Sequence, residues 1–233
     1  MKKILFFAMV LLSLAACSDD DDVTRIKPSA QGTVTDSEGN EYGWVRLGGL
    51  DWTTSNAKNG TFVADLKYLT SWGSLSNMFY TEERNYFYDE YMPRYGNLLS
   101  YEEAVASAPE GWRLPTDEDW KNLERALGMG NLDAKGWRGN GQSYIMIKGE
   151  EGIGLNLDYS GAVLFTTTSV SPYYILSFEK IAGYYWTSTI DNPAEESKTA
   201  FTRKIMLGQG GVERQSMRVD NRYLSVRWVR DAK

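Results

Sequence analysis

Acidic side chains are the main source of catalytic chemistry in this sequence, because it has no histidine and a single cysteine. Serine triads, cysteine–histidine dyads and most zinc sites depend on imidazole, so these reactions are excluded. Two carboxyl groups about 5–5.5 Å or about 6.5–9.5 Å apart could instead hydrolyse a glycosidic bond. Asp158, Glu179 and Asp191 are the candidates for such a pair. Their positions along the chain do not by themselves bring any two together.

Two short segments offer the hard oxygen ligands that calcium takes. They are Asp191-Asn192-Pro193 and Val219-Asp220-Asn221. Asp, Asn and Pro are also common turn formers, because Asp and Asn hydrogen-bond to nearby backbone and Pro fixes φ. We therefore interpret both segments as turns. No metal ligand and no cofactor is assigned from the sequence, and calcium binding stays an open question at this point.

Aromatic side chains in polar segments are the candidates for ligand binding. Residues 135–141 are polar and glycine-rich, so the indole among them is not expected to be fully buried. A second predicted loop begins at Pro172 and contains two tyrosines. An indole or phenol can stack on the apolar face of a sugar while an arginine or asparagine donates hydrogen bonds to its hydroxyls. The candidate ligand-binding residues are Trp137, Arg138, Asn140, Tyr173 and Tyr174.

The N-terminal segment has the pattern of a targeting signal. Two lysines precede an apolar stretch at residues 4–16, as in a signal peptide. A membrane-spanning helix needs ~20 apolar residues, so this stretch is too short to stay as an anchor. Leu14-Ala15-Ala16-Cys17 resembles the lipobox of bacterial lipoproteins, in which cleavage before the cysteine follows acylation of its thiol. We predict a signal peptide at residues 1–16, lipidation of Cys17 and attachment to the outer membrane.

Residues 17–32 are predicted to be an acidic tether. Four consecutive aspartates follow Ser18 and resemble the export signal of surface-exposed lipoproteins of the Bacteroidetes, which places the protein on the cell surface. Loss of residues 1–16 removes two lysines and no acid, so the net charge changes from −6 to −8. Nucleic-acid binding requires clustered Lys and Arg, which the chain lacks. The predicted partners are therefore the membrane, through the lipid, and a glycan or protein, but no nucleic acid.

The remaining residues, 33–233, are predicted to form one domain of α+β class. Ser100 and Thr116 are natural N-caps of two helices, and Asp119 completes a capping box after Thr116. Period-two alternation around a glycine-rich turn at residues 208–211 predicts a hairpin. The other predicted elements are a hairpin at 33–47, a strand at 50–52, an irregular aromatic segment at 57–97 and a last strand at 223–230.

Six motifs in order resemble the Fibrobacter succinogenes major paralogous domain over residues 33–231. They are DSEGNEY at 36–42, LGGLDW at 47–52, YGNLLSYEEA at 95–104, GWRLPT at 111–116, GYYWTST at 183–189 and SVRWVRD at 225–231. The helix start after GWRLPT and the VRWVRD ending are similar to the group of formylglycine-generating enzymes and C-type-lectin-like domains. The resemblance implies two helices with antiparallel sheets, paired chain ends and long irregular loops that present ligands.

This resemblance also limits the function. Family members often carry cysteines near the GW.LP turn and in the last strand, where this chain has Ala108 and Trp228, so a disulfide there is absent and Trp228 is expected to fill the space. Formylglycine generation needs thiols, and the lipidated chain has none free. We predict a non-enzymatic cell-surface binding module for a glycan or protein. A structural envelope or adhesion component is the alternative, and a carbohydrate-active enzyme using paired carboxylates is third.

Overall fold

The computed structural model describes residues 23–61, 63–66, 69–71, 85–147, 149, 151–167 and 172–232. These residues form a mixed fold of three sheets and four α-helices. The predicted signal peptide and Cys17 lie outside the described residues. The strands are β1 (Gln31–Thr35), β2 (Glu41–Leu47), β3 (Leu50–Thr53), β4 (Leu69–Ser71), β5 (Leu99–Ser100), β6 (Gly136–Arg138), β7 (Ala162–Thr167), β8 (Pro172–Ser177), β9 (Ala182–Asn192), β10 (Thr199–Met206), β11 (Val212–Arg218), β12 (Arg222–Leu224) and β13 (Val229–Asp231).

The first sheet joins the two ends of the described chain in the order β1-β2-β3-β13, with every pair antiparallel. The turn between β2 and β3 consists of Gly48 and Gly49, both with positive φ. Two successive residues in this conformation match the right-handed twist of the flanking strands, which explains why glycine occupies both positions. The pairing of the chain ends is confirmed.

The second sheet has the order β6-β11-β10-β9 and is antiparallel throughout. The hairpin predicted around residues 208–211 is its β10–β11 pair, as expected. The third sheet has the order β4-β8-β7-β12-β5 and is antiparallel except for the parallel pair of β4 and β8. The second sheet is the one that carries the candidate site.

The helices are α1 (Met92–Tyr95), α2 (Tyr101–Ala106), α3 (Asp117–Ala126) and α4 (Gln142–Met146), with a π-helical turn at Phe87–Tyr91 before α1. Both predicted N-caps are present, and each forms a capping box, although one was predicted only for Thr116. Ser100 Oγ accepts from the Glu103 amide at 3.3 Å, and Thr116 Oγ1 accepts from the Asp119 amide at 3.0 Å. None of the helices in the part of the chain described is long and apolar enough to cross a membrane.

The core is built from large aromatic side chains. Five tryptophans of the family-like motifs and of the helix that follows GWRLPT are buried, namely Trp52, Trp112, Trp120, Trp186 and Trp228. One cluster lies between α3, the first sheet and one face of the second sheet, and another lies against the opposite face of the second sheet. Burial of these rings stabilises the fold and holds the second sheet on both sides.

Two predictions about local structure are wrong. The last strand does not run unbroken from residue 223 to 230, because β12 and β13 belong to different sheets. Between them the backbone of Ser225 pairs with β9, and the carbonyls of Val226 and Trp228 accept from the amides of Ala57 and Thr53. The buried guanidinium of Arg227 adds hydrogen bonds to the carbonyls of Thr53 and Leu155. The segment at 85–95, predicted as irregular, is helical because Phe87, Tyr91 and Tyr95 stack along one side.

Candidate ligand-binding site on the second sheet

Four side chains form a row across the second sheet. The register pairs Trp137 with Glu213, Glu213 with Lys204, and Lys204 with Tyr184. Residues directly opposite each other in antiparallel strands point to the same face. We call this set, Trp137, Glu213, Lys204 and Tyr184, the Lys204 row.

The ammonium group of Lys204 organises the row. Its Nζ lies 5.3 Å from the ring centroid of Trp137 and 5.5 Å from that of Tyr184, within the range of cation–π attraction. The same Nζ lies 3.0 Å from Glu213 Oε2. This contact is an ion pair whose alignment does not satisfy hydrogen-bond geometry, since Glu213 Oε2 has no hydrogen-bond donor among the described residues. The row is therefore electrically neutral while keeping an acceptor without a donor.

The row combines an exposed ring with polar groups. Trp137 is 39% exposed, whereas the side chains of Lys204 and Glu213 are each 19% exposed. Burial and the charge of Glu213 raise the pKa of Tyr184 to about 12, so its phenol keeps its proton at neutral pH. Tyr184 itself is buried, so the groups that a polyhydroxylated molecule can reach are the indole of Trp137 and the partly exposed side chains of Lys204 and Glu213.

Gln215 adds a further polar group to this face. It lies two residues after Glu213 on β11 and therefore projects from the same side of the sheet. Its amide nitrogen is buried and has no hydrogen-bond partner in the part of the chain that the structure describes. An unmade hydrogen bond of this kind costs free energy, and because the nitrogen is buried, a surface ligand reaches it only if the Gln215 side chain moves.

The opposite face of the same strands is occupied by three arginines, each next to a member of the Lys204 row. Successive residues of a strand point to opposite faces, so Arg138, Arg203 and Arg214 point into the interior. Arg203 Nε donates to Glu124 Oε1 at 2.6 Å, and Arg214 Nη2 donates to Asp117 Oδ2 at 2.8 Å. Both acids belong to α3, so these ion pairs fix the helix to the back of the sheet.

Arg138 belongs to this interior network and is not a surface hydrogen-bond donor. Its Nη1 and Nη2 lie 2.9 and 3.0 Å from the two carboxylate oxygens of Glu124, and Nη1 also donates to the Leu132 carbonyl. The predicted contact of Arg138 with a ligand conflicts with this burial. The side chain instead anchors β6 and so holds the neighbouring Trp137 in place.

The other predicted site residues lie on different elements. Asn140 is exposed in the turn after β6, and Trp137 lies on a short edge strand where a loop was predicted. Tyr173 and Tyr174 lie on β8 of the third sheet, because this segment pairs with β7 instead of forming the predicted loop. The Tyr174 ring is half-buried against Phe165 and Tyr223. Trp137 and Tyr174 are thus on separate sheets, with separate ring partners.

Of the three acids nominated for catalysis, Asp191 lies apart from Asp158 and Glu179. Asp191 is the penultimate residue of β9 and pairs with Lys135 at 2.8 Å. The turn predicted for residues 191–193 begins at Asn192, whose Oδ1 accepts from the Ala194 amide at 3.1 Å. Asp158 accepts two contacts from Asn56 Nδ2, at 3.1 and 3.2 Å. Burial raises the pKa of Asp158, and the positive charge of Arg227 opposes this only in part.

Glu179 lies on a segment next to Asp158. The amide of Lys180 donates to the Tyr159 carbonyl at 2.8 Å, which aligns the two acidic segments, and Tyr86 donates its hydroxyl proton to Glu179. No group of three or more Cys, Asp or Glu side chains able to hold a metal ion occurs within the described ranges. Asp220, in the second segment considered for calcium, pairs with Arg218 at 2.8 Å.

Sequence reasoning missed Lys204, Glu213, Gln215 and Tyr184 as candidates. The alternation of β10 and β11 around their glycine-rich turn carries enough information to place Lys204 opposite Glu213. The position of β6 is different, since three residues in a glycine-rich stretch give no periodic signal. The proximity of Trp137 to Lys204 is a property of the folded sheet.

Comparison with known protein families places these residues in a defined domain. A model described as the Fibrobacter succinogenes major domain matches residues 45–230, which include every strand of the second sheet. No curated protein and no solved structure matches the chain.

Proposed function

The chain belongs to the Fibrobacter succinogenes major domain family, and we propose that it is a non-enzymatic binding module that takes a glycan on the Lys204 row. The proposal depends on one observation above all, the half-exposed indole of Trp137 beside the Lys204–Glu213 ion pair. Ring carbons of a sugar can stack on the exposed part of the indole while the sugar hydroxyls reach the Lys204–Glu213 ion pair beside it. This surface is a strand face, in place of the loop face expected from the sequence.

The proposed location is the outer surface of the outer membrane, through acylation of Cys17. Support comes from the lipobox-like LAAC at residues 14–17 and from the aspartates that follow it. More than one acyl chain is needed for stable anchoring, since a single chain binds membranes reversibly. Mass spectrometry of the N-terminal peptide and proteolysis of intact cells test the two parts separately. An unacylated Cys17, or a protein fully protected in intact cells, would contradict them.

A C-type-lectin-like fold is the finer structural proposal. It is supported by the pairing of β13 with β3 in the β1-β2-β3-β13 sheet, which joins the ends of the described chain, and by two capped helices packed on antiparallel sheets. The glycan surface proposed here needs no calcium, because its polar groups are a lysine and a carboxylate.

The binding proposal is tested with the full-length protein in detergent and a panel of insoluble polysaccharides. Trp137→Ala should weaken binding by about 30-fold, because loss of a central aromatic contact costs about 2 kcal/mol. Tyr88→Ala is the matched control, since Tyr88 is 37% exposed but lies on the π-helical turn. Equal binding by both variants and the wild type would contradict the assignment of this face.

Asp158 is the observation that favours a second function, hydrolysis of a glycosidic bond. A buried carboxyl group with a raised pKa suits a general acid, and Glu179 is the neighbouring carboxylate. Sugar release from the same polysaccharide panel, abolished by Asp158→Asn, would favour the hydrolase. Absence of any product under conditions where the polysaccharide is bound would exclude it.

A further inference from the structure

Phe178 has an unusual backbone conformation for a large exposed residue. Its φ is 63°, in the left-handed region, and its side chain is 50% exposed. Bulky residues rarely adopt this region, because Cβ approaches the carbonyl oxygen. The strain at Phe178 is not offset by burial of the ring in the core, so the ring's presentation at the surface needs another explanation.

The Phe178 ring continues the Lys204 row. The Phe178 ring centroid lies 6.1 Å from that of Tyr184. Lys204 contacts both the Tyr184 ring and the Trp137 ring. The result is a continuous line of contacts with an exposed ring at each end. The ion pair of Lys204 with Glu213 lies between the two rings.

The length of this line sets a lower limit on its ligand. Lys204 and Tyr184 lie between the Trp137 and Phe178 rings in this line of contacts, with Lys204 Nζ 5.3 Å from the Trp137 centroid and the Phe178 centroid 6.1 Å from that of Tyr184. One pyranose ring stacked on either end does not cover the two side chains in between. A monosaccharide can therefore stack on one end but not on both.

The charges indicate the class of sugar. Lys204 is neutralised by Glu213, and the protein as a whole carries a net charge of −6. A polyanionic glycan would meet a carboxylate at the centre of the line and a repulsive field around it. A neutral glycan carries no charge, so neither the carboxylate nor the net negative charge of the protein weakens its binding.

From these observations we propose that Phe178 and Trp137 are two stacking platforms for one linear, neutral oligosaccharide of more than one unit, which lies across the strands of the second sheet. This inference rests on the proposed glycan-binding function and names its ligand class. Lys204 and Glu213, whose side chains are each 19% exposed, contact the sugar units between the two rings.

The test is calorimetry of the full-length protein in detergent with cello-, malto-, xylo- and manno-oligosaccharides of one to four units, and with trigalacturonate. For at least one neutral series, affinity should rise at least tenfold from one unit to three. Phe178→Gly should remove that rise and leave the affinity for the single unit within twofold. The matched control is Lys180→Gly, because Lys180 has the same φ of 63° and its ammonium faces Glu179.

The glycine variants also report on folding. Both relieve a left-handed residue, so both should melt at the wild-type temperature or above it. Binding of the neutral series by Phe178→Gly with an undiminished dependence on length would overturn the inference, as would tighter binding of trigalacturonate. Wild-type binding that does not depend on length overturns this inference alone. Failure of the wild type to bind any sugar, with a protein captured on the same face instead, overturns the proposed function as well.

Discussion

Glu124→Gln tests how Trp137 is held in place. Glu124 is fully buried on α3 and accepts three guanidinium hydrogen bonds, two from Arg138 and one from Arg203, at 2.6–3.0 Å. Glutamine has nearly the same shape but lacks the charge, and its amide nitrogen would face a guanidinium donor. The substitution therefore leaves positive charge uncompensated in the interior without creating a cavity.

The expected loss follows from the composition of the cluster. Two acids, Asp117 and Glu124, face three arginines, so the cluster has an excess of one positive charge, and the substitution raises this to two. Breaking a buried ion pair by removing one partner costs about 3–5 kcal/mol. For a domain of this size, each kcal/mol lowers the melting temperature by about 2–4 °C.

Urea unfolding monitored by tryptophan fluorescence measures this loss. The control is Glu118→Gln on the same helix, which removes a surface ion pair with Lys121 and should cost about 0–1 kcal/mol. A further result is expected at the binding face, because a loosened Arg138 no longer fixes β6: glycan affinity should fall in Glu124→Gln and not in Glu118→Gln. Equal, small losses of stability in the two variants would refute the reasoning.

Two further predictions concern the region around Asp158. Burial holds the pKa of this carboxyl above its usual value of 3.8, so the folded protein binds the proton more tightly than the unfolded chain does. Its contribution to stability is present below pH 3.8 and is lost as pH rises through the raised pKa. Chemical unfolding from pH 3 to pH 8 should show Asp158→Asn gaining stability relative to wild type across that window, and a constant difference would contradict the prediction. Gly183→Ala should destabilise by about 1–3 kcal/mol, because its Cβ would lie 2.0 Å from the Asp158 carbonyl oxygen. Gly149→Ala, with no atom within 4 Å of the added Cβ, should be neutral in the same thermal melts.

Local signals predicted the elements that depend on neighbouring residues. Ser100 and Thr116 begin helices because a side-chain oxygen three residues from a free amide is available whatever the rest of the fold does. The hairpin of β10 and β11 follows from alternation and a glycine-rich turn in the same way. These elements are encoded within short stretches of sequence.

The strands that the sequence did not predict, β6 and β8, form by pairing with strands that are distant in the sequence or not recognisable from it. Residues 135–141 and 172–174 are polar or carry Pro172, and nothing local distinguishes a loop from a short strand that a distant partner stabilises. Arg138 shows the same limit for the site. Arg138 follows Trp137 on β6 and therefore points to the opposite face of the sheet, which is the interior. Its partner Glu124 lies on α3, 14 residues earlier in the chain. The site residue that the sequence and the structure share is Trp137, because its indole is too large for its polar surroundings to cover.

The indole proton of Trp137 gives the most direct test of the Lys204 row as the ligand site. In a ¹H–¹⁵N spectrum, this signal is assigned with Trp137→Phe and followed while a neutral tetrasaccharide that binds the protein is added. We expect the Trp137 signal to shift progressively to saturation, while the signals of the fully buried Trp52 and Trp120 stay fixed. Saturation of the protein by the sugar with an unmoved Trp137 signal would contradict the account.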